Sequence, residues 1–167
     1  MPLPLSYPGL KCVLENLEAV KRVHIVGRSP GLQKIDKLIP LRLKAFYIMR
    51  DQMTINNWII LYYENYEVKF CSVFANRKTI SREGSKSLKD KMKKLVNFYF
   101  CERRVIHVDK LCWLDDLFTD FLPVDMKFRV NSLNAPHQFD AAIPFIDTRS
   151  FPLQILDISA LVGYFGP

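Results

Sequence analysis

Met126-Lys127-Phe128-Arg129-Val130-Asn131 alternates apolar and polar side chains without a break. A period of two places Met126, Phe128 and Val130 on one face and Lys127, Arg129 and Asn131 on the other. That predicts a half-buried β-strand rather than a helix. Upstream, Val105 to Leu111 reads as another strand, and Leu153 to Ser159 as a third beyond an irregular stretch over 134–150. Between the first two, Leu114, Leu117, Phe118 and Phe121 recur at helical spacing. Before them Ser87 opens a long helix, with Asp90 three residues on in the capping-box position. Leu88, Met92, Leu95, Val96 and Tyr99 form its apolar stripe, and its lysines fall mainly on the other side. The order helix, strand, helix, strand, loop, strand predicts an open, leucine-rich-repeat-like α/β stack. The chain stops eight residues after Ser159 with no closing helix, which leaves a bare edge and suggests C-terminal truncation.

The first forty residues read differently. Leu10, Val13, Leu14 and Leu17 fall at i, i+3, i+4 and i+7, which predicts a helix over 7–17 capped by Ser6, with Pro8 in its first turn. A second helix over about 18–28 ends near Gly27. Ser29-Pro30 opens a third, with Leu32, Ile35, Leu38 and Ile39 on one side before Pro40 stops it. Three helices this short cannot bury their stripes singly. The pattern then changes to period two, with Leu41, Leu43, Ala45, Tyr47 and Met49 alternating with a set containing Phe46 and Ile48. Residues 57–64 and 66–75 predict two further strands joined by a tight turn at Glu64-Asn65. Asn76 to Lys86 predicts a loop. The expected class is α+β, divided into a helical segment 1–40 and a mixed α/β domain 41–167 that begins with an antiparallel meander.

A chain of 167 residues is one domain, or one domain with a helical appendage, and buries roughly 70% of its unfolded surface. An apolar fraction of 49%, with 12 Phe, 7 Tyr and 2 Trp, excludes general disorder. Nothing at the N-terminus reads as a signal peptide, and the apolar run Trp58 to Tyr63 is far too short to span a membrane. Cys12, Cys71, Cys101 and Cys112 lie far apart, which suits free thiols and an intracellular location, although three disulfide pairings are open to them. The net charge of +7 is concentrated in residues 76–104, where ten Lys/Arg face Glu83, Asp90 and Glu102.

The stretch Pro2 to Leu17, then Lys21-Arg22, Arg28 to Ile35 and Ile39-Pro40-Leu41 resembles the opening of a lineage-expanded nematode family that carries an uncharacterised domain. Trp113 to Phe118, Leu122 to Asp125 and Phe128 are similar to that family's middle region. The resemblance implies a degenerate F-box in residues 1–40, docking on a Skp1-type adaptor of a cullin ubiquitin ligase, with the remainder selecting a substrate. Leu10, Val13, Leu14, Leu17 and Ile35 stand at the matching apolar positions and are the expected partner-binding residues. After Arg28 the chain departs from the F-box pattern, with Ser29-Pro30 where a Cys-basic-Trp signature would stand.

The expected function is therefore a non-enzymatic protein-binding module, a substrate-recognition adaptor in the sharpest form, with no cofactor or metal. The alternative is nucleic-acid binding through segment 77–94, using Arg77, Lys78, Arg82, Lys86, Lys89 and Lys93, with Phe98, Tyr99 and Phe100 nearby to stack on bases. Core packing explains those aromatics as simply. Cys101, His107 and Cys112 match no common zinc spacing. Asp116 and Asp120 would be helical neighbours, but Asp115, Asp116, Asp120 and Asp125 have no nearby histidine or nucleophile.

Overall fold

Leu14 shows why the first helices fold as they do. A computed structural model describes residues 7–62, 68–72, 88–100, 103, 105–115 and 120–158, with the backbone alone at 88 and 89. Helices α1 (Tyr7–Asn16), α2 (Ala19–Gly27) and α3 (Pro30–Asp36) each carry a short apolar stripe. Leu14, Val26 and Ile39 are buried together, and Leu10, Leu17, Leu32 and Ile35 pack around them. Each stripe is thus buried by the other two helices. Glu18 stands at the start of α2, where its carboxylate accepts from the Lys21 amide at 3.0 Å. Leu38 is a correction to the sequence reading. It follows the end of α3 and stands 73% exposed rather than on the buried side.

Seven strands follow: β1 (Leu41–Ile48), β2 (Gln52–Ile55), β3 (Trp58–Tyr62), β4 (Val68–Ser72), β5 (Val105–Trp113), β6 (Lys127–Asn134) and β7 (Ile155–Asp157). They form one mixed sheet in the order β4-β3-β2-β1-β5-β6-β7. The antiparallel meander runs from β1 to β4, and β1, β5, β6 and β7 are parallel. The α+β class is as expected; β2 is a further strand that the sequence pattern does not predict, and its turn to β3 is Asn56-Asn57. The stretch over 134–150 is not irregular either. It holds α5 (Phe139–Ala142) and two 3-10 turns, Ile143–Phe145 and Thr148–Ser150. The turn at 64–65, the loop 76–86, the cap at Ser6 and most of the helix through Leu117 and Phe118 lie outside the described residues.

The parallel strands share one buried pattern. Leu41, Leu43, Phe46 and Ile48 on β1 are buried, as are Ile106, Val108, Leu111 and Trp113 on β5. Phe128, Val130, Leu133 and Ala135 repeat the spacing 22 residues later, in register with β5. In each strand two consecutive residues face away from the core: Lys44-Ala45, Asp109-Lys110 and Asn131-Ser132. The strands therefore change phase together and stay paired. This corrects the expectation that Leu41, Leu43, Ala45, Tyr47 and Met49 share a face. Asn56 holds the step on β1, its Oδ1 accepting from the Lys44 and Ala45 amides at 2.8 and 3.3 Å. Its Nδ2 donates to Glu18 Oε1 at 2.6 Å, tying the β2–β3 turn to the start of α2. The residue sits at φ 53°, a conformation Asn tolerates better than most.

The core lies on one side of this sheet. Ala19, Val20 and Val23 of α2 join Met92, Val96, Tyr99 and Phe100 of α4 (Leu88–Phe100) against the buried strand residues. The two helices approach closely at Gly27, where a Cβ would meet the Phe98 ring at 3.2 Å. A buried ion triad locks the same corner. Asp36 is 1% exposed and accepts from Arg22 Nε at 2.5 Å and from an Arg103 guanidinium nitrogen. Arg22 also donates to the carbonyls of Asp36, Ile39 and Pro40, and Arg103 to those of Asp36 and Phe100. Two guanidiniums against one carboxylate leave a positive excess. The carbonyl ends of α3 and α4 offset it, as helix C-termini do for cations.

Candidate ligand-binding face

The other face of the parallel strands is exposed at Arg42, Lys44, Asp109, Lys110, Arg129 and Asn131, while Cys112 farther along β5 is buried. Its residues follow from the strand pattern, since whatever falls between buried positions must point away. Arg42 stands between Leu41 and Leu43, His107 between Ile106 and Val108, and Arg129 between Phe128 and Val130. The register puts Arg42 opposite His107, and His107 opposite Arg129. One basic row thus crosses three strands. With strands about 4.8 Å apart, the two arginine backbones lie about 10 Å apart with an imidazole between them.

Both arginines are exposed, and neither has an ion pair among the described residues. Nearby carboxylates are already engaged. Asp109, in the next row, accepts from Asn131 Nδ2 at 3.1 Å. Asp147 is bound in bidentate fashion by Arg149, at 3.0 Å to Nε and 2.7 Å to a terminal nitrogen, and takes its backbone amide at 2.9 Å. Those hydrogen bonds hold the Asp147 carboxyl down at about 2 and raise Arg149. His107 titrates below its ordinary range, chiefly through burial and then through Arg42, Arg129 and Arg149, with Asp147 opposing. The imidazole is therefore neutral at pH 7. Lys110, two strand rows on, reaches over the Tyr47 ring at 5.9 Å.

Residues 87–165 match a domain of unknown function (DUF3557). The DUF3557 match contains α4, β5, β6, α5 and β7, and so supplies His107 and Arg129. Arg42 comes from β1, before the matched segment, and the triad joins Arg103 within it to Arg22 and Asp36 outside it. The basic row and the ion lock are both built across the edge of the DUF3557 match. No curated protein and no solved structure matches the chain.

The expected site residues fall elsewhere. Leu14 is buried, Leu10, Leu17 and Ile35 pack against it, and only Val13 stands substantially exposed, at 45%. Of the alternative anion-binding set, Lys93 lies exposed on α4, while Arg77, Lys78, Arg82, Lys86 and the Lys89 side chain lie outside the described residues. Tyr99 and Phe100 are buried, and Phe98 packs on His24, with 5.4 Å between ring centroids.

Cys101 and Asp116 lie outside the described residues, and Asp120 and Asp125 are exposed. His107 and Cys112 share a face but are five residues apart, about 16 Å along a strand, too far to hold one ion. Burial pushes the Cys112 thiol up. Among the described residues no three His, Cys, Asp or Glu gather in a metal-binding group, and no helix is long and apolar enough to cross a membrane. The basic row had a signal in the sequence that was not used: Leu-Arg-Leu, Ile-His-Val and Phe-Arg-Val each set one basic residue between two core positions.

Proposed function

We propose that the chain is a non-enzymatic protein-binding module that presents the open face of its parallel strands to a protein ligand. The observation that carries this reading is the row Arg42–His107–Arg129, where two exposed guanidiniums flank an imidazole and, among the described residues, neither is within ion-pair distance of a carboxylate. An open sheet backed by helices is a rigid platform for such groups. A photo-crosslinking residue at Ser132, in the middle of the face, tests it. A discrete protein adduct is expected there, and none from the same residue at exposed Gln33 on α3. Equal or absent labelling at both positions would sink the reading.

The resemblance of residues 1–40 to a degenerate F-box extends the proposal to a substrate-recognition adaptor of a Skp1–cullin-type ubiquitin ligase, with the helices held by the adaptor and the open face turned to the substrate. With Leu14 committed to the chain's own interior, that contact falls to Val13. Co-purification with a Skp1-type adaptor is the test. Val13→Asp should abolish the association while leaving the melting temperature unchanged. If no association is seen with the wild type, the ligase reading goes and the binding module remains.

The competing reading, nucleic-acid binding, has the exposed Lys93 and Lys94 of α4 in its favour. Titration with single-stranded RNA at two salt concentrations separates the two, because phosphate-backbone binding weakens steeply as salt rises.

A further inference from the structure

We propose that Arg42, His107 and Arg129 together recognise a phosphorylated side chain carried on an extended peptide, an inference that rests on the protein-binding reading of this face. Two guanidiniums with no ion pair among the described residues suit a dianion, and a phosphate monoester carries about −1.5 to −2 at neutral pH. A carboxylate ligand would leave one guanidinium unmatched. Arginine forks suit phosphate oxygens, and their reach lets two of them converge over His107 from strands about 10 Å apart. The imidazole adds a third donor, and a bound dianion would offset the lowering that Arg42 of β1, Arg129 of β6 and Arg149 after β6 impose on it against Asp147.

The same surroundings disfavour a polyanion. Lys44 and Lys110 also lie on this face, but Asp109 stands beside both and Lys110 lies over the Tyr47 ring, so positive charge is densest at the row itself. A nucleic-acid strand needs successive basic contacts along its backbone. One phosphate on an otherwise neutral peptide fits the row. Asn131 and Ser132, the next outward-facing residues of β6, give an extended backbone polar groups to meet.

The test is fluorescence anisotropy on the full chain, with a nine-residue Gly/Ser peptide bearing one central phosphoserine and its Ser and Asp counterparts. The phosphopeptide should bind, the Asp peptide at least about tenfold more weakly, and the Ser peptide not at all. Arg42→Ala and Arg129→Ala should each weaken binding about tenfold, the loss of one charge-assisted contact. Their melting temperatures should stay within about 2 °C of the wild type, since both side chains are exposed. Lys93→Ala should bind as the wild type does. The inference is overturned if the phosphopeptide fails to bind at low salt, or binds independently of both arginines. It is overturned too if inorganic phosphate binds as tightly as the peptide, or if single-stranded RNA uses the row while the phosphopeptide does not bind. The Ser132 crosslink separates the two proposals. An adduct that survives the double arginine variant, with no phosphopeptide binding, removes this inference and leaves the module reading in place.

Discussion

Asp36→Asn is the most exacting perturbation of the fold. The side chain keeps its shape but loses the charge that two buried guanidiniums share, and its new amide hydrogens point toward donors. Asp36, Arg22 and Arg103 are 1%, 2% and 7% exposed, so no water replaces the lost carboxylate. Breaking a buried ion pair from one side costs about 3–5 kcal/mol, much of it the uncompensated charge left behind. Two such charges remain here, partly eased by the carbonyls of Ile39, Pro40 and Phe100, which keeps the expectation within that range. Total stability for a domain is about 5–15 kcal/mol, so the variant should be folded but fragile. The melting temperature should fall by roughly 6–20 °C, at about 2–4 °C per kcal/mol for a chain of this size. Urea unfolding followed through buried Trp113 gives the free energy directly. The companion Arg22→Met, Asp36→Leu, Arg103→Met removes all three charges and should come close to wild-type stability or exceed it. A loss below about 1 kcal/mol for Asp36→Asn would refute the reasoning, since the helix ends would then be carrying the two arginines unaided.

Two further expectations concern the step in the strands and the acid limb of stability. Asn56→Gly should cost about 1–2 kcal/mol through the lost bonds to Lys44, Ala45 and Glu18, and Asn56→Ala about 1 kcal/mol more, because φ 53° is unfavourable for alanine; thermal melts of the pair separate the two contributions. Asp147 titrates at about 2 when folded against an ordinary 3.8, so its contribution is full above the unfolded value and is lost as pH falls from 3.8 through 2. Melting curves from pH 6 to pH 2 should therefore show a steeper acid loss for the wild type than for Arg149→Ala, and parallel curves would contradict the pairing.

Much of the secondary structure was legible because it is local. The spacing of Leu10, Val13, Leu14 and Leu17, and the alternation from Met126 to Asn131, each describe a single face. Their use was not legible. The first stripe is satisfied by Val26 and Ile39 from α2 and the residues after α3, a choice made in three dimensions. The phase change at Lys44-Ala45 depends on Asn56, and no pattern within β1 announces a partner from a later turn. The strand β2 has four residues set between two turns, too few for alternation to register. The basic row escaped notice because an arginine on the polar side of a strand is the ordinary solvated case. Only the register of β1, β5 and β6 gathers three such residues, and β1 lies far from the other two along the chain.

Ligand binds on the exposed face of the parallel strands, at the row Arg42–His107–Arg129, in the reading proposed above. Amide and imidazole NMR shifts, recorded while the phosphoserine peptide is titrated into the full chain, test it most directly. Perturbations are expected to centre on Arg42, His107 and Arg129 and their strand neighbours, with the His107 titration moving upward on binding. Shifts centred on α4, or none at all near β1, β5 and β6, would contradict it.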